Sequence, residues 1–212
     1  MRIVSVNVGL PREIVWKGVT VRTAIFKEPV AGAVAIRGLN LTGDQQADLT
    51  VHGGSDKAVY AYPAEHYEYW RKQLPDVSLS WGAFGENLTT DALWEDTLCV
   101  GDLLRVGSAV LQVTQPRMPC YKLEIRFNRD DMIKRFLLSG RSGFYFSIVE
   151  PGEVSAGSKV EILSRDPNRV TVADVLRLYL NQTRDPELIQ RAASVHPLSL
   201  KWKSALVTER TD

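Results

Sequence analysis

From Met1 to about residue 165 the chain is interrupted every few residues by a glycine turn, a spacing that leaves room mainly for short strands. Lys17-Gly18, Gly43-Asp44, Gly101-Asp102, Gly107-Ser108, Pro151-Gly152 and Gly157-Ser158 punctuate runs in which apolar and polar residues alternate. Val4, Val6 and Val8 alternate with Ser5 and Asn7, and Val19 and Val21 with Thr20 and Arg22, the pattern of half-buried strands. Many short antiparallel strands folded back on one another predict a mainly β fold, a barrel or sandwich. After Asp166-Pro167-Asn168 the apolar period changes to about 3.6 residues, the period of a helix. The sequence therefore divides into a β domain over 1–165 and a helical unit over 166–212.

Two helices are expected within the β region. One follows Pro63 and places Tyr67, Trp70 and Leu74 on one face; the other starts near Asn128 and stops at Gly140. Strands are predicted over 97–100, 103–106, 109–113 and 143–149. In the tail, Thr171 with Asp174 forms a capping box ahead of the stripe Val172, Val175, Leu176 and Tyr179. Asp185-Pro186 opens a second helix, and a third follows Pro197 with Leu198, Trp202, Ala205 and Leu206. A unit this small buries little surface alone, so it should pack on the barrel or on a second subunit, with Trp202 pointing to a homodimer.

The 212 residues are 44% hydrophobic and 24% charged, which fits a folded globular chain. Lys and Arg number 26 against 25 Asp and Glu, so no global field draws the protein to nucleic acid or an anionic membrane. No apolar stretch approaches the roughly 20 residues of a membrane span, and MRIVSVNVGL lacks the core of a signal peptide, so a cytoplasmic location is expected. Cys99 and Cys120 are too few for a disulfide framework or a four-cysteine zinc site.

The most informative segment is Gln115-Pro116-Arg117-Met118-Pro119-Cys120-Tyr121-Lys122. Two prolines stiffen the backbone around Cys120 at a strand end, and cations close to a thiol favour the thiolate that binds metals and acts as a nucleophile. Free cysteine is also commonly a buried, inert residue, which is the reading Cys99 invites. In Val51-His52-Gly53-Gly54-Ser55-Asp56-Lys57, a strand runs into Gly53-Gly54, whose amides could form an anion-binding nest beside Lys57, or simply a turn. A third patch, Gly82-Ala83-Phe84-Gly85-Glu86-Asn87-Leu88, sets polar Glu86 and Asn87 among apolar residues, consistent with a tight turn. Neither a P-loop nor G-x-S-x-G is present.

Together and in this order, these patches resemble the MOSC domain, the module named after the C-terminal part of molybdenum cofactor sulfurases. Gly43-Asp44-Gln45-Gln46-Ala47-Asp48, the run from Val51 to Tyr67, Phe84 to Leu88, Gln115-Pro116-Arg117 with Pro119 to Leu123, and Ser139 to Gly143 carry the likeness. It is greatest to a bacterial subgroup associated with resistance to N-hydroxylated purine analogues, in which three helices follow the barrel. The resemblance implies a MOSC-type β-barrel that binds a molybdenum-pterin cofactor, with Cys120 as thiolate ligand to the metal. Arg22, Thr23, Lys57 and Arg117 match the family's basic and hydroxyl residues for the cofactor, joined by Gly53, Gly54 and Asn87. Arg22 stands where lysine is frequent and Ser55 where proline is common.

The resemblance further implies a reductase that removes oxygen from N-hydroxylated bases or related compounds. His52, Asp56 and Glu86 would then deliver protons, and a separate reductase would supply electrons, since the chain shows no flavin or iron-sulfur motif. The alternative is a carrier that delivers the cofactor or its sulfur without turning over a substrate.

Overall fold

The alternation at the N-terminus is realised as β1 (Arg2–Val8), but both of its faces are covered. Ser5 and Asn7 are buried: the Ser5 hydroxyl donates to Asn7 Oδ1 at 2.8 Å, and Asn7 Nδ2 donates to Thr89 Oγ1 at 3.1 Å. The structure, a computed structural model, describes residues 1–47 and 53–207. After β1 the chain forms β2 (Arg12–Trp16), β3 (Val19–Thr23), β4 (Glu28–Pro29), β5 (Val34–Arg37), β6 (Asn40–Leu41), β7 (Val59–Pro63), α1 (His66–Gln73) and β8 (Leu88–Asp91). There follow β9 (Leu103–Val106), β10 (Ala109–Pro116), α2 (Tyr121–Phe127), α3 (Met132–Ser139), β11 (Phe144–Glu150), β12 (Gly152–Val154) and β13 (Val160–Ser164). The tail supplies α4 (Val172–Tyr179), α5 (Pro186–Ser194) and α6 (Leu200–Val207).

Among the described residues one eight-stranded sheet runs β13-β9-β10-β11-β7-β8-β1-β4, with β12-β5-β6 and the hairpin β2-β3 as separate small sheets. Every pairing is antiparallel except β7 with β8, which α1 connects. The sheet curls until β1 meets the turn before β13. Ile3 N–H donates to Ser158 O at 2.9 Å and Val160 N–H to Met1 O at 3.1 Å, around a single bridge between Arg2 and Lys159. The mainly β class is as expected, but the strand ladder does not close into a complete barrel among the described residues. The β9–β10 hairpin depends on Gly107, which has φ +60° and lies against β12; a Cβ there would stand 2.2 Å from Glu153 O.

Two apolar clusters hold the sheet. On one face α1, α2 and α3 bring Trp70, Phe127 and Phe136 against Tyr60, Tyr62 and Phe84 in an aromatic layer. The other cluster joins strand residues such as Leu111 and Val113 to Val175, Leu188, Leu198 and Trp202 of the tail. The tail thus packs on the sheet, and most of Trp202 is buried there, its ring 5.0 Å from that of Tyr179 of its own chain, centroid to centroid.

Two local expectations are corrected. Residues 97–100 form a turn, not a strand, because Asp102 accepts the Cys99 amide and leaves only one bridge, from Cys99 to Thr171. Helix α2 lay hidden because seven residues are too few to establish a period. Elsewhere local signals hold: Thr171 and Asp174 form the capping box of α4, and Asp185 caps α5 ahead of Pro186. No helix among the described residues is long and apolar enough to cross a membrane.

Candidate functional site

Strand β10 carries an irregularity in its pairing with β11 between Val113 and Gln115. There the Thr114 hydroxyl lies within hydrogen-bonding distance of two backbone oxygens, that of Asp56 at 2.6 Å, the shorter contact, and that of Tyr145 at 3.1 Å, which share its one proton. Such a bulge re-aims the strand end, and it ties the turn at 55–57 to the segment that leads into Cys120. Pro116 closes the strand, Pro119 holds the next bend, and Cys120 stands in extended backbone immediately before α2.

Cys120 is half-buried and lies where two hollows meet. The narrower, about 120 Å³, is a cleft lined by Thr23, Lys27, Asn87, Arg117 and Lys122. The wider, about 400 Å³, is a chamber between the turn at Gly53–Asp56 and the helical tail, which contributes Tyr179, Ser199, Lys201 and Trp202. Lys57, Met118, Cys120 and Tyr145 border both.

The cleft is basic, and its charges are fixed. The Arg117 guanidinium is only 6% exposed; it donates to Phe84 O at 2.8 Å and lies 4.9 Å over the Tyr60 ring and 5.3 Å over that of Phe136. Burial alone would push its pKa down, but the Tyr60 and Tyr145 hydroxyls and the Cys120 sulfur together hold it above the ordinary range. Burial pushes the Tyr145 hydroxyl up despite Arg117 beside it. Lys27 is buried in an ion pair with Asp44, whose carboxylate also accepts from Gly9 N–H and Asn87 Nδ2, each at 2.9 Å. Burial holds the Lys27 ammonium below its usual pKa, and Asp44 offsets part of that shift.

Of the residues singled out in the sequence, the cleft gathers Thr23, Asn87 and Arg117; the chamber gathers Gly53, Gly54 and Asp56; Lys57 and Cys120 border both. Three readings need correction or fall elsewhere. Arg22 is exposed on β3 and lines neither hollow; Lys27 is the basic residue of that stretch that reaches the cleft. Glu86 lines neither hollow and is fully buried, accepting from Gly82 N–H, Phe84 N–H, Thr89 Oγ1 and the Tyr67 hydroxyl. It braces the turn around Gly85 and reaches neither hollow, so it is not placed to give a proton to a ligand in them. His52 lies outside the described residues.

The nest at Gly53-Gly54 is altered too. Gly54 has φ +101°, which favours glycine, but its amide donates to Gln46 Oε1 at 3.0 Å, and Gln46 Nε2 donates to Lys57 O at 3.1 Å. Gln46 therefore shapes the turn from within, leaving Lys57 as its cationic contribution. Lys27, Tyr60, Tyr145 and Lys201 carry no local signal of a role here, because the partners that give them meaning are distant in the chain. Among the described residues no three His, Cys, Asp or Glu side chains group closely enough to hold a metal ion, so a metal at Cys120 would need to bring its other ligands with it.

The sequence and the fold are both similar to those of known proteins. A family model described as the MOSC domain matches residues 48–161, and one described as the YiiM-like, 3-alpha helix domain matches residues 170–208. Protein YiiM of Escherichia coli (strain K12) is 38% identical over 190 residues, covering 89% of this chain and 84% of that protein. A protein named Reductase from Gibberella moniliformis (strain M3125 / FGSC 7600) is 33% identical over 168 residues, which are 76% of this chain and 29% of that protein. The crystal structure of YiiM from Geobacillus stearothermophilus superposes with a TM-score of 0.79 at 34% identity, covering 97% of this chain and 96% of that one. The chain belongs to the MOSC domain family, in the form that carries a YiiM-like three-helix domain after the sheet.

Proposed function

We propose that the protein is a molybdenum-cofactor-dependent reductase of N-hydroxylated bases and related N-hydroxylated compounds. The observation that carries this reading is the position of Cys120, a half-buried sulfur shared by a basic cleft and a larger chamber. The donor set fits the cofactor: a soft thiolate suits a redox metal, while Arg117, Lys122 and the Thr23 hydroxyl line the adjoining cleft where an anionic group would lie. When bound, the cofactor supplies the two-electron chemistry. The overall change is R–NHOH plus two electrons and two protons giving R–NH₂ and water, with a separate reductase as electron donor.

The chain's own contribution is placement and protons. Pro116 and Pro119 fix the Cys120 backbone, and the buried stack of Arg117 on Tyr60 keeps a permanent cation beside it. Asp56 borders the chamber and is the carboxylate we assign to pass protons to the departing oxygen.

The test is reduction of 6-hydroxylaminopurine by cofactor-loaded protein with a chemical electron donor. Wild type should form adenine and Cys120→Ala should not; equal turnover by both would defeat the proposal.

A further inference from the structure

The cleft and the chamber differ in size, in wall and in charge, and the difference bears on what the chamber receives. The chamber's far wall comes from the tail: Tyr179 of α4 and Lys201 and Trp202 of α6 belong to the three-helix match, outside the MOSC domain match. The near wall is the turn that carries Asp56 and Lys57, with Cys120 at its edge. At about 400 Å³ the chamber falls in the range that encloses small organic ligands, whereas the cleft, at about 120 Å³, is much narrower.

Two features of the chamber define a ligand. Trp202 and Tyr179 contact one another at a 57° tilt and border the chamber, giving it an aromatic wall suited to a planar ring. Lys57 of the turn and Lys201 of the tail both line the chamber, with Asp56 as its carboxylate and Cys120, Tyr145 and Tyr179 as the other titratable groups that border it. Burial first, and then Lys201, hold the Lys57 ammonium below its usual pKa, as two cations sharing a half-enclosed space must. An anion placed there would relieve that repulsion and gain a charge-assisted contact from Lys201.

We propose that the chamber selects planar N-hydroxylated substrates that carry an anionic group, of the nucleoside monophosphate kind, and that Lys201 of the tail is the residue that selects for the anion. This rests on the reading of Cys120 as the reaction centre. The ring lies along the wall that Trp202 and Tyr179 border, the anionic group against Lys201, and the N–OH group toward Cys120. The three-helix unit is then part of the substrate site, and it narrows the choice from any N-hydroxylated base to the phosphorylated form.

Calorimetric titration with adenosine 5′-monophosphate and with adenosine, at low salt, separates the charge from the ring. The monophosphate should bind the wild-type protein about tenfold more tightly, as expected for one charge-assisted contact. Lys201→Gln should abolish that preference and Lys201→Arg should keep it; Lys201 is exposed, so neither change disturbs the core. Equal affinity for the two ligands, or an unchanged preference in Lys201→Gln, overturns the proposal. So does a preference that disappears when the protein is loaded with cofactor, since the lysines would then serve the cofactor's own phosphate. In turnover, Lys201→Gln should raise KM for the phosphorylated N-hydroxylated substrate more than it raises KM for the free base. Loss of all reduction alongside an intact binding preference would refute the reductase and leave the anion site standing.

Discussion

The Arg117 guanidinium lies 4.9 Å over the ring of Tyr60, buried three residues before Cys120, and donates to the carbonyl of Phe84 at 2.8 Å. One side chain thereby connects the strand end that carries the sulfur to β7 and to the turn that Glu86 braces. Its flat, permanently charged head is needed for both contacts, and a lysine supplies neither the stacking plane nor the fork. Arg117→Lys should therefore behave almost as badly as Arg117→Gln. Each should lower stability by about 2 kcal/mol, the worth of a hydrogen bond to a charged group, and should also reduce cofactor retention. Urea unfolding and metal analysis of the two variants check this; a Lys variant indistinguishable from wild type would contradict it.

Asp44 neutralises Lys27 in the wall of the cleft, and its side chain is only 4% exposed. Asp44→Asn leaves a buried ammonium without its counter-charge and should cost about 3 kcal/mol near neutral pH. Burial already holds Lys27 below its ordinary 10.5, and removing Asp44 lowers it further. A depressed folded-state pKa gives stability that is present above the unfolded value and lost as pH falls through the folded value. The variant should therefore recover relative to wild type as pH rises from about 7 toward about 10, where Lys27 can shed its proton. Thermal unfolding across that range tests the sign, and a gap that widens with pH would contradict it.

Glu86 accepts four hydrogen bonds in a fully buried setting, and burial raises its carboxyl above the ordinary 4.5 despite them. A carboxyl with a raised folded-state pKa contributes stability that is complete below 4.5 and declines as pH climbs through the higher folded value. Glu86→Gln should destabilise by about 1–3 kcal/mol, since an amide cannot accept from all four donors. The loss should be largest in acid and shrink as pH rises. Because Glu86 lines neither hollow, substrate binding by the folded variant should be unchanged, and a selective loss of turnover without loss of stability would restore it as a proton donor.

Features governed by neighbours in sequence could be read before folding. The prolines around Cys120 placed it on a stiff strand end, the Thr171–Asp174 box and Asp185-Pro186 marked two helix starts, and Gly140 closes α3 at φ +67°. Features governed by distant segments could not. Ser5 and Asn7 alternate like solvent-facing residues, yet Asn7 meets Thr89, 82 positions away. Glu86, read alone between glycines, fitted a tight turn; the family resemblance added proton delivery, and its four donors bear out the turn. Lys27 gains its place from Asp44, and Lys201 from a tail that folds back onto the chamber. Arg22 and Lys27 are both basic, and which of them reaches the cleft depends on where the β2–β3 hairpin turns away, which no periodicity records.

The central claim is that the Cys120 sulfur holds the metal of a molybdenum cofactor, and molybdenum per chain measures it most directly. Wild type and Cys120→Ala, purified in parallel from a host that makes the cofactor, should differ sharply: a substantial fraction of wild-type chains loaded, and the alanine variant nearly empty while still folded by circular dichroism. Equal molybdenum in both, or none in a folded wild type from such a host, would contradict the account.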